Sequence, residues 1–286
     1  MDKAAAVEMI RKIRGMYKPL ESKRTAADIR YVDTSYGKIR VLEYGFDADD
    51  VRPLYVDIHG GGYCVGLPEM DEEVNLHIRK NTDVKIISID YPKAPENPYP
   101  IGLEAAYEVI RHYYNDAERY NIDRERIGIG GYSSGGNFAT VVSIKAKERG
   151  DLKIRYQILC YPASDVSQDP HTGQGSSNVL SGDFREAIRL CYISKPEHAT
   201  EPYASPRLAT TELLTGLPPA LLISAGMDPL YPSYTEYGTK LREAGVDIDV
   251  RNFEKADHGF TYLGNSEDKM RAFGLIVDFI NRHTRP

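Results

Sequence analysis

The sequence predicts an α/β fold, a mostly parallel sheet covered by helices on both faces. Two observations carry this. Short apolar runs alternate with segments of helical periodicity, and several of the runs are apolar almost throughout, as in Lys85-Ile86-Ile87-Ser88-Ile89 and Ala220-Leu221-Leu222-Ile223. A strand that alternates polar and apolar residues has one wet face, whereas one that is apolar at nearly every position is buried on both, between two layers of helix. At 286 residues, one large domain carrying an insertion is expected over 1–286.

The elements follow in order. Val7, Ile10, Ile13, Tyr17 and Leu20 recur at steps of three and four, the stripe of an amphipathic helix that packs on the body. Residues 38–44, 54–58, 84–89, 126–130, 154–160, 220–224 and 248–252 read as strands; residues 103–119, 138–149, 234–244 and 269–282 read as helices. One stretch breaks the alternation: residues 164–203 begin rich in Ser, Gly, Asp and Gln and turn helical around 183–193. An inserted cap is expected there, the alternative being a long surface loop, which compact domains rarely carry without a function.

Composition narrows the class. Hydrophobic residues at 41% and charged residues at 27% are those of a globular chain, which excludes disorder and collagen-like structure. Lys plus Arg (36) against Asp plus Glu (42) gives −6 with no long run of like charge, which argues against nucleic acid as a partner. Cys64, Cys160 and Cys191 are odd in number and lack C-x-x-C spacing, so neither a disulfide framework nor a structural zinc is expected. Asp2, Lys3 and Glu8 interrupt the apolar core a signal peptide needs, and no stretch reaches 18 apolar residues, so a cytoplasmic protein without stable membrane association is expected. Homo-oligomerisation is left open.

The chemistry concentrates in two glycine-rich motifs. The strand ending at Gly130 runs into Gly131-Tyr132-Ser133-Ser134-Gly135-Gly136-Asn137 and then a helix. In G-x-S-x-G a serine is forced into a tight strand-to-helix turn, with glycines where a Cβ would collide with its neighbours. The Ser134 N–H at the helix start then points at the same space, where the helix dipole favours negative charge. That motif arises by chance about 0.1 times in such a chain, but His59-Gly60-Gly61-Gly62, directly after the apolar strand 54–58, only about 0.004 times. Successive glycines let main-chain N–H groups face a reacting oxygen, so Gly61, Gly62 and Ser134 are the expected oxyanion hole. Phosphate binding is disfavoured, since neither G-x-x-x-x-G-K-[ST] nor a helix-opening G-x-G-x-x-G is present. The absence of HExxH and of paired histidines likewise disfavours a metal, and no cofactor is expected.

A serine hydroxyl needs a base, and the base an orienting carboxylate. Of seven histidines, His77 and His112 sit in charged helical stretches and read as surface residues, His171 and His198 fall in the insertion, and His283 is at the tail. His258 follows the last strand, on a loop at the carboxyl edge of the sheet. Asp228 follows strand 220–224 in the same way; Asp257, the competitor, adjoins His258, and neighbours in an extended loop tend to point apart. The expected nucleophile, acid and base are Ser133, Asp228 and His258. Cys64, just past the glycine loop, reads as a buried apolar residue, and Tyr192 and Tyr203 are candidates to line a pocket.

At these residues the chain resembles the hormone-sensitive-lipase-like branch of the α/β-hydrolases, bacterial esterases with a His-Gly-Gly-Gly motif. The resemblance runs from about residue 54 to 260 and takes in Asp90-Tyr91, Ala94-Pro95-Glu96, Tyr203-Ala204-Ser205-Pro206, Asp228-Pro229-Leu230 and His258-Gly259-Phe260. It implies the α/β-hydrolase fold with a mostly parallel eight-stranded sheet. It implies a small helical cap formed by residues of about 1–34 and about 164–203, and hydrolysis of short-chain acyl esters through the Ser-Asp-His order found here. Tyr132 and Ser134 replace the Asp and Ala usual in the elbow, and Tyr91-Pro92-Lys93-Ala94 replaces Tyr-Arg-Leu-Ala. Carbohydrate or xenobiotic deacetylation and amide hydrolysis use the same groups. Plant gibberellin receptors, which resemble the family, lack the histidine that His258 supplies.

Overall fold

The computed structural model describes residues 1–21, 25–172, 177 and 179–285. In chain order its main elements are α1 (Lys3–Gly15), β1 (Asp28–Thr34), β2 (Gly37–Tyr44), β3 (Arg52–Ile58), α2 (Glu72–Asn81), β4 (Lys85–Asp90), α3 (Ile101–Asn115), β5 (Ile122–Tyr132), α4 (Ser134–Arg149), β6 (Tyr156–Cys160), α5 (Gly182–Tyr192), β7 (Ala220–Ala225), α6 (Tyr231–Glu243), β8 (Ile248–Phe253) and α7 (Ser266–Thr284). The strands form one sheet in the order β1-β2-β4-β3-β5-β6-β7-β8. β2 runs antiparallel to both β1 and β4, and every pairing from β4 to β8 is parallel.

Crossovers between parallel strands need helices, and the helices cover both faces. α3 packs on α4, and α4 meets α6 where Thr140 Oγ1 and the Tyr237 hydroxyl are 2.5 Å apart. α2 and α7 pack together on the opposite face. Between these layers β3, β4, β6 and β7 are buried almost end to end, as their unbroken apolar runs require.

Strand β1 is absent from the sequence expectation. Along it only Val32 is buried, while Ile29 and Tyr31 face solvent, so its pattern carries little signal. Pairing with β2 through the tight turn at 34–37 defines it, with Gly37 at φ 104°. This corrects the expected N-terminal cap segment: residues 28–34 belong to the sheet, so nothing beyond residue 27 of that segment lies outside it. α4 also begins four residues earlier than its periodicity suggests, because Gly135 and Gly136 weaken helix propensity and tertiary packing overrides it.

α1 is capped by Asp2, whose side chain accepts from the Ala5 N–H at 2.8 Å, and it buries Ala6 and Ile10. It stops at Gly15, short of the expected Leu20, and lies against α5, the helix of the insertion. α5 is capped by Ser181, which accepts from the Phe184 N–H at 3.2 Å. Among the described residues no helix is long and apolar enough to cross a membrane. Cys64, Cys160 and Cys191 are buried free thiols.

Gly274, in the middle of α7, has open space where a Cβ would stand. Gly274→Ala should raise stability by about 0.5–1 kcal/mol, because alanine loses less backbone entropy on entering a helix. Denaturant unfolding at unchanged slope is the check.

Candidate active site

The expected functional residues all follow carboxyl ends of parallel strands, the edge where open α/β sheets bind ligands. Residues 59–62 leave β3, Ser133 leaves β5, Asp228 lies three residues beyond β7, and His258 lies five beyond β8. Ser133 takes φ 53° and ψ −115°, a conformation that costs a non-glycine residue about 1–3 kcal/mol. Three main-chain bonds hold it there: its N–H donates to Cys160 O at 3.0 Å, and its carbonyl accepts from Asn137 at 3.1 Å and Ala163 at 2.9 Å. The flanking glycines are obligatory. A Cβ at 131 would stand 2.4 Å from Gly135 backbone, and one at 135 would stand 1.9 Å from Ile58 O.

The structure brings Ser133, His258 and Asp228 into one hydrogen-bonded series. His258 Nε2 is 2.9 Å from Ser133 Oγ, and His258 Nδ1 is 2.7 Å from Asp228 Oδ2. Asp228 is fully buried, and its other oxygen accepts from the Leu230 N–H at 2.8 Å. Asp257 binds instead to the main-chain N–H of His258 at 2.7 Å, so the ring's carboxylate is Asp228. Gly61 and Gly62 adopt φ 126° and 58°, left-handed conformations glycine tolerates. Among the described residues, no carbonyl or side chain accepts from the N–H groups of Gly61, Gly62 or Ser134. The cavity around Ser133 measures about 410 Å³, with walls that include Tyr17 and Leu20 from the N-terminal segment and Phe184 and Ile188 from α5.

Other groups reach the site without a sequence signal. Tyr161 sits at φ 35° just after β6 and sets its ring edge-on to His258, centroids 5.0 Å apart; its hydroxyl meets that of Thr261. The rule that placed Asp228, position just past a parallel strand, also applies to Tyr161. Tyr192 lines the cavity and stacks on Tyr63 at 3.7 Å, whereas Tyr203 points elsewhere, donating to Glu148 at 2.8 Å. Asn137 ties the elbow to neighbouring segments through Ala163 O at 2.7 Å and Ala204 O at 2.9 Å. His77 and His112 are half-buried rather than fully exposed, packed on Phe273 and Tyr120 respectively.

Beneath the glycine loop lies a buried polar cluster. His59 stacks on Tyr91 and donates from Nδ1 to Gly60 O at 2.6 Å. Burial, with Lys93 nearby, pushes its pKa down to about 3, so it is neutral and no rival base. Asp57 accepts from Asn75 at 3.0 Å and Ser88 at 2.5 Å. Asp71 lies beside Asp57 and the Tyr262 hydroxyl, and that hydroxyl accepts from the Gly60 N–H at 3.4 Å. Burial raises Asp57 to about 6; burial and the charge of Asp57 push Asp71 well above the carboxylate range. Two carboxyls so placed share a proton at neutral pH. His171, Asp183 and Glu186 also stand together at the surface, where Glu186 is engaged by the Met1 ammonium at 2.5 Å and by His171 at 3.0 Å.

The chain belongs to the alpha/beta hydrolase fold family, whose pattern it matches over residues 55–262. It is 30% identical to Esterase LipI of Mycobacterium tuberculosis over 215 residues, 74% of this chain and 67% of that protein. It is 27% identical to an ethyl acetate hydrolase of Pseudomonas putida over 230 residues, 79% of this chain and 72% of that protein. Among solved structures, the Pyrobaculum calidifontis esterase superposes with a TM-score of 0.84 at 28% identity, covering 99% of this chain and 93% of that one.

The carboxyl pair sets a pH dependence. Asp57 and Asp71 hold protons more tightly folded than unfolded, so their stability contribution is complete below the unfolded carboxyl pKa of about 4. It is lost as pH rises through about 6 for Asp57 and higher still for Asp71. Asp71→Asn keeps a donor beside Asp57 and removes the second charge. Denaturant midpoints across pH 5–9 should therefore fall less steeply above about 6 than in the parent. Equal slopes would exclude the pair as their source.

Proposed function

We propose that this chain is a serine carboxylesterase acting on short-chain acyl esters. The observation that carries this reading is the series Ser133–His258–Asp228 at 2.9 and 2.7 Å, opening into the cavity. Ser133 Oγ attacks the ester carbonyl carbon while His258 Nε2 takes its proton. Asp228 stabilises the imidazolium through Nδ1 and keeps the ring in the tautomer that presents Nε2 as the acceptor. The developing oxyanion rests on the N–H groups of Gly61, Gly62 and Ser134, aided by the positive end of α4. His258 then returns its proton to the leaving alcohol, and a water activated by the same imidazole hydrolyses the acyl-enzyme.

The N-terminal helix and α5 form a cap over this centre and shape the acyl and alcohol sites. A cavity of about 410 Å³ suits a small ester. The relatives named esterase and ethyl acetate hydrolase support the same bond type and a short acyl group. A receptor on this fold would have no need of an imidazole bonded at both ends.

Ser133→Ala should lower kcat for 4-nitrophenyl acetate by on the order of 10⁴ or more, and Asp228→Asn by about 10⁴. Asp257→Asn should stay within severalfold of the parent, since Asp257 bonds main chain rather than ring. Labelling by a fluorophosphonate, present in the parent and lost in Ser133→Ala, reads the nucleophile directly. Parent-like hydrolysis by Ser133→Ala would overturn the assignment.

A further inference from the structure

The helix over the cavity carries two cations with no carboxylate partner among the described residues. Arg185 and Arg189 stand one turn apart on α5, and both line the cavity that holds Ser133 and His258. Among the described residues, neither guanidinium has a carboxylate at ion-pair distance. Arg185 is half-buried; its Nη1 donates to Thr172 O at 2.9 Å, and its Nε is buried with no acceptor among the described residues. Burial pulls its pKa down, opposed by the fields of Asp228 and Asp169.

Three nearby acids are paired elsewhere, and Asp169, whose charge Arg185 feels, stands beyond ion-pair distance. Glu73 is paired with Lys269 at 2.9 Å, Asp165 with Arg207 at 2.5 Å, and Asp228 with His258 at 2.7 Å. Asp169 accepts from the His171 N–H at 2.9 Å. Like charges four residues apart on a helix repel, and a desolvated guanidinium with an idle donor is unfavourable. The surrounding wall is apolar, with Leu180, Phe184 and Ile188 beside the two arginines. Such an arrangement is relieved when a bound molecule brings an anion, and the planar fork of arginine matches a carboxylate.

We propose that Arg185, assisted by the exposed Arg189 at the rim, selects esters that carry a carboxylate on the acyl chain or on the alcohol. This rests on the esterase reading above and narrows its substrate class.

The test compares kcat/KM within two matched pairs. 4-Nitrophenyl hexanoate and the 4-nitrophenyl monoester of adipic acid place the charge on the acyl side; methyl 4-acetoxybenzoate and 4-acetoxybenzoate place it on the alcohol side. The anionic-to-neutral ratio, which cancels the general effect of a substitution, is measured for the parent, Arg185→Gln, Arg185→Lys and Arg189→Gln. In one pair the ratio should fall about tenfold or more in Arg185→Gln, mainly through KM. Arg185→Lys should recover part of the loss, and Arg189→Gln should lower the ratio severalfold. The pair that responds tells which side of the ester bears the charge. A ratio unchanged by Arg185→Gln in both pairs overturns the proposal while ester hydrolysis itself stands. Failure of the parent to hydrolyse any of the four esters overturns the esterase reading instead.

Discussion

Three chain segments meet at a contact that leaves no room for a side chain. Ile58 O at the end of β3 stands 1.9 Å from where a Cβ on residue 135 would lie, and the first turn of α4 presses on Gly131 at the end of β5. Because the segments touch backbone to backbone, the residue between the two glycines is driven into a left-handed turn with its side chain above the sheet. That residue is Ser133. The same contact sets its surroundings: Ile58 pairs with Gly131, so the glycine loop that follows Ile58 emerges beside the serine. The glycine loop and the α4 terminus are therefore brought side by side through strand register.

The remaining partners arrive by the same route from further along the sheet. β7 and β8 pair in register from Ala220↔Ile248 to Ala225↔Phe253, which brings the loops bearing Asp228 and His258 side by side. The hydrogen bond between them thus closes a gap of thirty residues in sequence. Beneath the glycine loop the protein tolerates Asp57, Asp71 and His59 with no solvent exposure. Each is costly if charged, and each shifts toward its neutral form: the acids upward and the imidazole downward. With His59 neutral and one proton shared between the two acids, the cluster under the loop carries one negative charge rather than two.

Much of this was legible in the sequence, for reasons particular to each residue. The apolar runs of β3, β4 and β7 declare a doubly covered sheet because no other environment suits them. Ser133 declares itself through glycines that sterics make obligatory. Asp228 and His258 could be chosen because position just past a strand end is a local property that encodes a global one. What escaped is decided by contacts between distant segments. β1 exists through pairing with β2 and buries one side chain, so its own pattern says little. The start of α4 contradicts local propensity, and Tyr203 is drawn away from the cavity by Glu148. The proximity of Asp57 to Asp71 spans a loop whose path the sequence does not reveal.

The walls of the cavity show how the body and the segments above it act together. Arg14, in the last turn of α1, donates from Nε to Cys64 O at 2.7 Å, pairs with Glu96 at 2.8 Å and also reaches Ala94 O. Cys64 lies two residues past Gly62, so the N-terminal helix is fastened to the far end of the glycine loop. The same helix packs on α5, whose Ile188 side chain would be struck by a Cβ at Gly62. The loop is therefore held from below by β3 and from above by two helices far apart in the sequence, Lys3–Gly15 and Gly182–Tyr192. Because Ile188 leaves no room for a Cβ at Gly62, whatever displaces α5 also changes the wall against which the loop rests.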